Sequence, residues 1–374
     1  MIRFEGSGAH RIGMEMEFQL VDGTTWDLVN GLLPLLELFP DSEFVKPEFI
    51  QNSVEIASPP CADIASLGTE LTRLVAALDR SCRRLGYRLC SAGTHPFSLE
   101  AASITPLPRY LALGKSGGYL GPNQICFATH VHVDVASGDE AVQLMAQLKP
   151  YLPLLIALSA NSPYWRAEDT RFAAFRHHIL AASRNYGLPP DFATWQDFED
   201  FFDIMRRAGR ISGVNDIHWD IRPRPHLGTL EMRVMDAQTR IGDALALAAF
   251  VRGLVQLLRA AGPGGEVPAA GLPAALPWWA HRDNCFVASR DGLDALLIAD
   301  ERGRVERVTD MIDAALDAVE PHSVRLGDVG HLAALRSTLR NGGPYAEQRR
   351  LHDEHGSLAS VVEALADDLV ALPG

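Results

Sequence analysis

The chain has 374 residues, 47% of them hydrophobic and 22% charged, so it can bury a large core and is not a disordered polymer. Its 34 Lys and Arg face 47 Asp and Glu, a formal charge of −13, which excludes electrostatic nucleic-acid binding as a main role because phosphates demand a basic stripe. No run reaches the roughly 18 consecutive apolar residues of a bilayer span, and Met1 to Gly13 carries acidic and polar residues where a secretory leader has an apolar core.

The first predicted element is a strand, Ile12 to Leu20. Its even positions are Ile12, Met14, Met16, Phe18 and Leu20, and its odd positions include Glu15 and Glu17, so both carboxylates leave one face while the other packs on a core. Glu55 lies between Val54 and Ile56 in a second strand-like run, and Glu48 precedes it by seven residues. A helical period covers Ala62 to Leu85 and ends near Gly86. His95, in Gly93-Thr94-His95-Pro96-Phe97, is a lone imidazole in a turn, either structural or lining a site. Gly114 to Gly121 reads as a flexible loop; Gly114-Lys115-Ser116 is not a phosphate-binding loop, because the glycine expected five residues before Gly114 is Arg109.

Ala128 to Val135 is the third strand, with His130, His132 and Asp134 opposite Val131, Val133 and Val135. Helices follow at Asp139–Leu148 and Pro150–Ala160, separated by Pro150 and Pro153. Arg166, Arg171 and Arg176, with Asn161 nearby, read either as a solvated helix face or as anchors for an acidic substrate. Past a helix at Trp195–Arg207, two more strands alternate His218, Asp220 and Arg222 with Trp219 and Ile221, and Glu231 and Arg233 with Leu230, Met232 and Val234. A helix at Gly242–Ala260 leads to a Gly-, Ala- and Pro-rich seam, Ala261 to Pro277. The last quarter, about 278–374, reads as helices near Arg304–Val319, Asp328–Leu339 and Tyr345–Leu372, with Pro321 and Asn341-Gly342-Gly343-Pro344 as stops.

Five strand-like runs thus set an apolar face against carboxylate, imidazole or guanidinium, with almost no Lys. Ordinary solvated faces are rich in Lys, Thr, Ser and Gln. Carboxylates are hard ligands suited to magnesium or manganese, and Arg matches phosphate oxygens. On one shared sheet, these residues are the equipment of a nucleotide-dependent enzyme. Nucleophile chemistry is not signalled: there is no G-x-S-x-G, and the five cysteines (Cys61, Cys82, Cys90, Cys126, Cys285) contain no CxxC pair. Their odd number points to reduced thiols and a cytoplasmic protein.

Taken in order, the motifs resemble the carboxylate–amine ligase family, also described as type 2 glutamate–cysteine ligases. The segments are Ile12-Gly13-Met14-Glu15-Met16-Glu17-Phe18, Lys46-Pro47-Glu48 with Val54-Glu55-Ile56-Ala57, Gly93-Thr94-His95-Pro96-Phe97, Arg109-Tyr110, and His130-Val131-His132-Val133. Then come Pro150-Tyr151-Leu152-Pro153, Ala160-Asn161-Ser162-Pro163, Trp219-Asp220-Ile221-Arg222-Pro223 and Thr229-Leu230-Glu231-Met232-Arg233.

The resemblance implies an α+β catalytic fold of the glutamine synthetase/guanido kinase kind: one domain over residues 1–374, with a curved, mostly antiparallel sheet and helices on its outer face. It implies ATP-dependent joining of a carboxylate, commonly the γ-carboxylate of glutamate, to an amine such as cysteine through an acyl phosphate. Mg2+ or Mn2+ would be held by Glu15, Glu17, Glu48, Glu55, His130 and Glu231. Arg233 and Glu231 would be catalytic, with Arg233, Arg222 and His132 toward the nucleotide. Arg166, Arg171, Asn161 and His95 are the expected contacts to a small amino-acid or amine substrate. Neither nucleic acid nor membrane is an expected partner, and the family suggests a homodimer. Two positions depart from the family pattern: Met16 stands where a third Glu is common, and Asn284 is followed by Cys285-Phe286 in a segment expected to border nucleotide or substrate. Two other readings remain at this point: a metal-dependent hydrolase that does not use ATP, and a non-catalytic nucleotide- or metabolite-binding relative.

Overall fold

The computed structural model describes residues 2–262, 265 and 271–370. At its centre lies β1 (Ile12–Asp22), paired along its length with several partners. The others are β2 (Val45–Pro47), β3 (Ser53–Ala57), β4 (Tyr87–Cys90), β5 (Thr129–Asp134), β6 (Ile221–Arg224) and β7 (Thr229–Met232). They form one seven-stranded sheet in the order β6-β7-β5-β1-β3-β2, with β4 added to the end of β1, and every pairing is antiparallel.

The register decides which side chains meet. Glu15 pairs with His130 and Glu17 with Glu55, while Gly13 and Glu231 both pair with His132, and Arg222 pairs with Glu231. Directly opposed residues share a face, so the carboxylates, imidazoles and guanidiniums of five strands collect on one side. Ile12, Met14, Met16, Phe18 and Leu20 go to the other side, each at most 1% exposed. Met16 therefore belongs to the core, as the alternation predicts.

Helices cover that apolar side. Ile64–Arg84 opens on a capping box, in which the Asp63 carboxylate accepts from the Ser66 N–H at 2.7 Å, and closes at Gly86 in the left-handed region. Ile241–Ala261 is buried almost all round because it packs between the sheet and the C-terminal helices Val308–Leu326 and Val329–Asn341. Arg252, buried inside it, reaches Asp328 at 2.8 Å and the Ala62 carbonyl at 2.7 Å. One hydrophobic cluster runs from Ile12 to Leu369. Two helical stretches, Gly138–Ser159 and Ile241–Ala261, are long and apolar enough to cross a membrane, contrary to the sequence reading; 83% and 78% of their apolar windows are buried against other elements, as in core helices.

Several boundaries also differ from the sequence reading. Pro321 does not stop its helix, which runs on to Leu326 and ends at Gly327. The carbonyl that Pro321 leaves unpaired, on Asp317, is on the solvent side, while Val319 and Ser323 pack closely over Gly253. Tyr345–Leu372 is two helices, Pro344–His355 and Leu358–Val370, broken at left-handed Gly356. The predicted Arg304 start is instead a strand, Val305–Arg307, paired with Leu296–Ile298. Lys115 and Ser116 lie in the last turn of a helix, Pro108–Gly117, rather than in a loop. Residues 263–264 and 266–270 of the 261–277 seam lie outside the described residues. All five cysteines are free.

Candidate active site

The polar face holds two groups of three side chains whose donor atoms lie within 4.8 Å of one another: Glu15, His132 and Glu231, and Glu17, Glu48 and Glu55. Four strands supply five of them through simple alternation. Glu48 arrives from the turn after β2, where its carboxylate accepts the Phe49 N–H at 3.0 Å. His130 stands between the groups, its Nδ1 3.4 Å from Glu15 and 3.7 Å from Glu231 and its Nε2 4.0 Å from Glu17.

Charge is distributed unevenly here. Burial, reinforced by Glu48, pushes Glu17 up to about 8, and burial likewise raises Glu48 and Glu55. Three desolvated carboxylates this close cannot all stay ionised without a cation. Burial, then the Arg233 charge, pushes His130 down to about 3, leaving the neutral imidazole that a metal requires. The Nε2 atoms of His130 and His132 are buried without a hydrogen-bond partner. Orphaned imidazole nitrogens beside hard oxygen donors fit divalent cations of the magnesium or manganese kind.

Glu231 has a different environment. It is fully buried, and burial opposes its charge, but Arg222, Arg233 and Arg224 together hold its carboxyl well below the usual range. Arg222 Nε donates to it at 2.8 Å and Arg224 Nη1 at 2.9 Å, and Arg233 Nη1 donates to its other oxygen. Arg222 also donates to the Ile217 carbonyl. Its donors are thus engaged within the protein, where they hold Glu231. Arg224 went unnoticed in the sequence; it lies two residues beyond Arg222 and shares its parity. His132, expected toward the nucleotide, instead completes the first group of three.

The expected substrate contacts fare less well. His95 is buried with Nε2 2.9 Å from the Trp26 carbonyl and Nδ1 accepting the Ser98 N–H at 3.0 Å, so both ring nitrogens are engaged by the protein backbone. Asn161 is fully buried; it donates to the Ala237 carbonyl at 2.8 Å and accepts from Gln348 at 2.7 Å. Arg166 and Arg171 occupy no helix face. Both have positive φ around a short hairpin, Arg166 bonds Asn123 at 2.6 Å, and Arg171 is exposed. Arg176 alone of that series is buried: it donates to the Arg233 and Val234 carbonyls, lies 3.9 Å from Asp236, and leaves Nε unpartnered. Asp236 lies outside the two carboxylate groups and accepts from the Asn161 N–H and the Ser162 hydroxyl. Asn284 ties its helix to the Ile298 backbone at 2.9 and 2.7 Å, so its role is structural.

The same fold occurs in the glutamate–cysteine ligase of Francisella tularensis, crystallised in complex with AMP, at a TM-score of 0.67 and 13% identity over 99% of this chain and 90% of that one. A bifunctional glutathione synthetase from Pasteurella multocida follows at a TM-score of 0.66 and 13% identity, with 96% of this chain matching 52% of that one. These two likenesses show the fold; the class, a carboxylate–amine ligase that forms a carbon–nitrogen bond, is shown by the family match and the named relatives. The family model for glutamate–cysteine ligase family 2 matches residues 11–364, and the chain belongs to that family. Relatives provisionally named glutamate–cysteine ligase 2 share 41% identity over 370 residues in Trichormus variabilis (99% of this chain, 95% of the relative) and 36% over 371 residues in Mycobacterium tuberculosis (99% and 97%).

Proposed function

We propose that the protein joins a carboxylate, the γ-carboxylate of glutamate, to an amine such as cysteine in two steps: the carboxylate takes the γ-phosphoryl group of ATP and releases ADP, and the amine then attacks the acyl carbon and displaces phosphate to leave an amide. The observation that carries this reading is the pairing of two cation-ready groups with Arg233 on one sheet face. A carboxylate resists amines because oxide is a poor leaving group, and phosphorylation supplies a better one. Divalent cations, when bound, neutralise the crowded phosphate and carboxylate oxygens.

Glu17, Glu48 and Glu55 would hold one cation and Glu15, His132 and Glu231 another, with His130 between them. Arg233 steadies the phosphoryl group in transfer, while Arg222 and Arg224 keep Glu231 in place. Arg176, with an unpartnered Nε, offers charge to a substrate carboxylate. The AMP bound by the Francisella ligase and the names of the relatives support a nucleotide and glutamate. A cytoplasmic location is supported by the free thiols; a homodimer rests on the family resemblance and is read by sedimentation.

The test is incubation with ATP, Mg2+ and pooled amino acids, followed by mass spectrometry. ADP, phosphate and a new amide support the ligase. Product without ATP supports a hydrolase, and binding without turnover supports a non-catalytic relative. Arg233→Ala is expected to abolish turnover in a folded protein; near-wild-type activity would sink the assignment.

A further inference from the structure

Asp220 stands beside Arg233 and belongs to neither group of three. The β6–β7 register pairs Arg222 with Glu231 and Ile221 with Met232, and the Arg233 N–H continues it by donating to the Asp220 carbonyl at 2.8 Å. Asp220 therefore comes opposite Arg233, and residues so placed have Cβ atoms about 4.5–5.5 Å apart. The Asp220 N–H donates in turn to the Gly187 carbonyl at 2.9 Å, where Tyr186–Gly187 runs parallel to His218–Trp219. Both backbone groups are committed, and they fix this carboxylate at one place beside the site.

Asp220 is 3% exposed, and its Oδ1 is buried without a hydrogen-bond partner. An unmet carboxylate oxygen in the interior is costly, and a ligand that brings a donor relieves that cost. Arg176, Arg233, Tyr186 and Cys285 face it from different segments. Burial holds the Tyr186 hydroxyl and the Cys285 thiol protonated, so neither adds a charge. Burial also outweighs the Arg176 and Arg233 charges at Asp220 and pushes it up to about 7, the range in which a group takes and returns protons near neutrality. Tyr186 and Cys285 are themselves only half-buried, so the surroundings of Asp220 are not sealed.

We propose that Asp220 receives the acceptor amine as its ammonium and takes a proton from it, acting as the base of the amide-forming step. The inference rests on the ligase reading above. Phosphorylation leaves the acyl carbon one bridging oxygen from the phosphorus that Arg233 steadies. The attacking nitrogen must come within roughly 3–3.5 Å of that carbon, and so beside Arg233 as well. An ammonium has donors to meet Oδ1 but no lone pair to attack with. Transfer of one proton to Asp220 frees the pair, and the C–N bond forms. The C–O bond to phosphate then breaks with its electrons on phosphate, which takes the second proton from nitrogen, while one hydrogen stays on the amide. Asp220 gives its proton to solvent. The α-ammonium of glutamate is the poorer occupant, because the length of the glutamate side chain separates it from the acyl carbon.

Hydroxylamine separates the two steps. It is uncharged at neutral pH, traps an acyl phosphate as a hydroxamate, and needs no base to free its lone pair. Wild type and Asp220→Asn, each as the full chain, are given ATP, Mg2+ and glutamate with either hydroxylamine or the pooled amino acids. The variant is expected to form amide at least about a hundredfold more slowly, the lower reach of acid–base catalysis, and hydroxamate at the wild-type rate. Undiminished amide formation, or equal losses of both products, overturns the base. If the variant does not fold, the wild-type pH profile decides. The ratio of amide to hydroxamate should climb through a limb at about 7 and then level; a ratio that keeps rising with the free amine overturns the base. In each of these failures wild-type hydroxamate still sustains the ligase reading, whereas a wild type that makes neither ADP nor hydroxamate overturns both.

Discussion

Glu231 shows how far a single side chain can be over-determined. Three guanidiniums converge on one fully buried carboxylate, so deleting the carboxylate leaves three cations partly uncompensated. Glu231→Gln is therefore a destabilising change as well as an inactivating one, on the order of 3–5 kcal/mol for a broken buried pair. Arg224→Ala, at a side chain 19% exposed, is the gentler probe. It should cost about 1.5–3 kcal/mol for a lost charged hydrogen bond, measured by urea unfolding, and a stability equal to wild type would deny Arg224 its part in holding Glu231. His95 offers a pH test. Burial lowers it from 6.5 to about 4, so the unfolded chain takes up a proton that the folded one refuses. Its contribution to stability is complete above 6.5 and is lost as pH falls toward 4, by about 1.4 kcal/mol per unit within that window. The stability gap between wild type and His95→Asn should accordingly shrink from about pH 7.5 to about pH 5; a constant gap would contradict a buried neutral imidazole. At this scale the sequence disclosed residue type and parity but not hydrogen-bond engagement. His95 and Asn161 bond distant segments, at Trp26 and at Ala237 and Gln348, which no local pattern announces, whereas Arg222 bonds Ile217 and Glu231 within nine residues of itself.

Strand alternation was the most legible feature of the chain, because a period of two needs only local sequence. β1 shows it as a sharp contrast between neighbours. Met16→Ala should cost roughly 2–5 kcal/mol, as large-to-small core changes do, and leave turnover per folded molecule intact. Glu17→Gln should do the reverse: turnover is lost, while the metal-free protein melts at a higher temperature because a desolvated, repelled carboxylate is gone. Thermal scans in chelator alongside ADP release check both, and a destabilised Glu17→Gln would show that the carboxylate stabilises the fold instead of straining it. Helices were legible where caps and apolar period agreed, as at Trp195–Arg207, whose Thr194–Asp197 capping box fixes its start. They were misread where tertiary packing overrode punctuation. Pro321 is carried through because its helix is held against Gly253, and the 164–176 stretch bends into a hairpin at Arg166 and Ala167, an irregularity with no period to announce it.

At the scale of the molecule, the helical last quarter closes over Ile241–Ala261, and the polar face is left with crowded carboxylates whose charge burial opposes. Cations bound there bind the folded chain alone, so Mg2+ or Mn2+ at a hundredfold excess over Kd should add about 2.7 kcal/mol and raise Tm; a Tm indifferent to both metal and chelator would remove the two groups as cation sites. The guanidinium nest around Glu231 has one more consequence. It leaves the β6–β7 side of the face with more positive than negative charge, whereas toward β1–β3 the carboxylates of Glu17, Glu48 and Glu55 outnumber their nearby cations, Lys46 at 3.9 Å from Glu55 and the more remote charges of Arg176 and Arg233. Between them lie imidazoles, of which His130 is neutral. The sheet is thus electrically polarised across its strands, and a ligand carrying a cation at one point and phosphate oxygens at another feels a torque before it touches anything. Orientation begins during approach, and added salt should slow encounter more than it disturbs the docked arrangement.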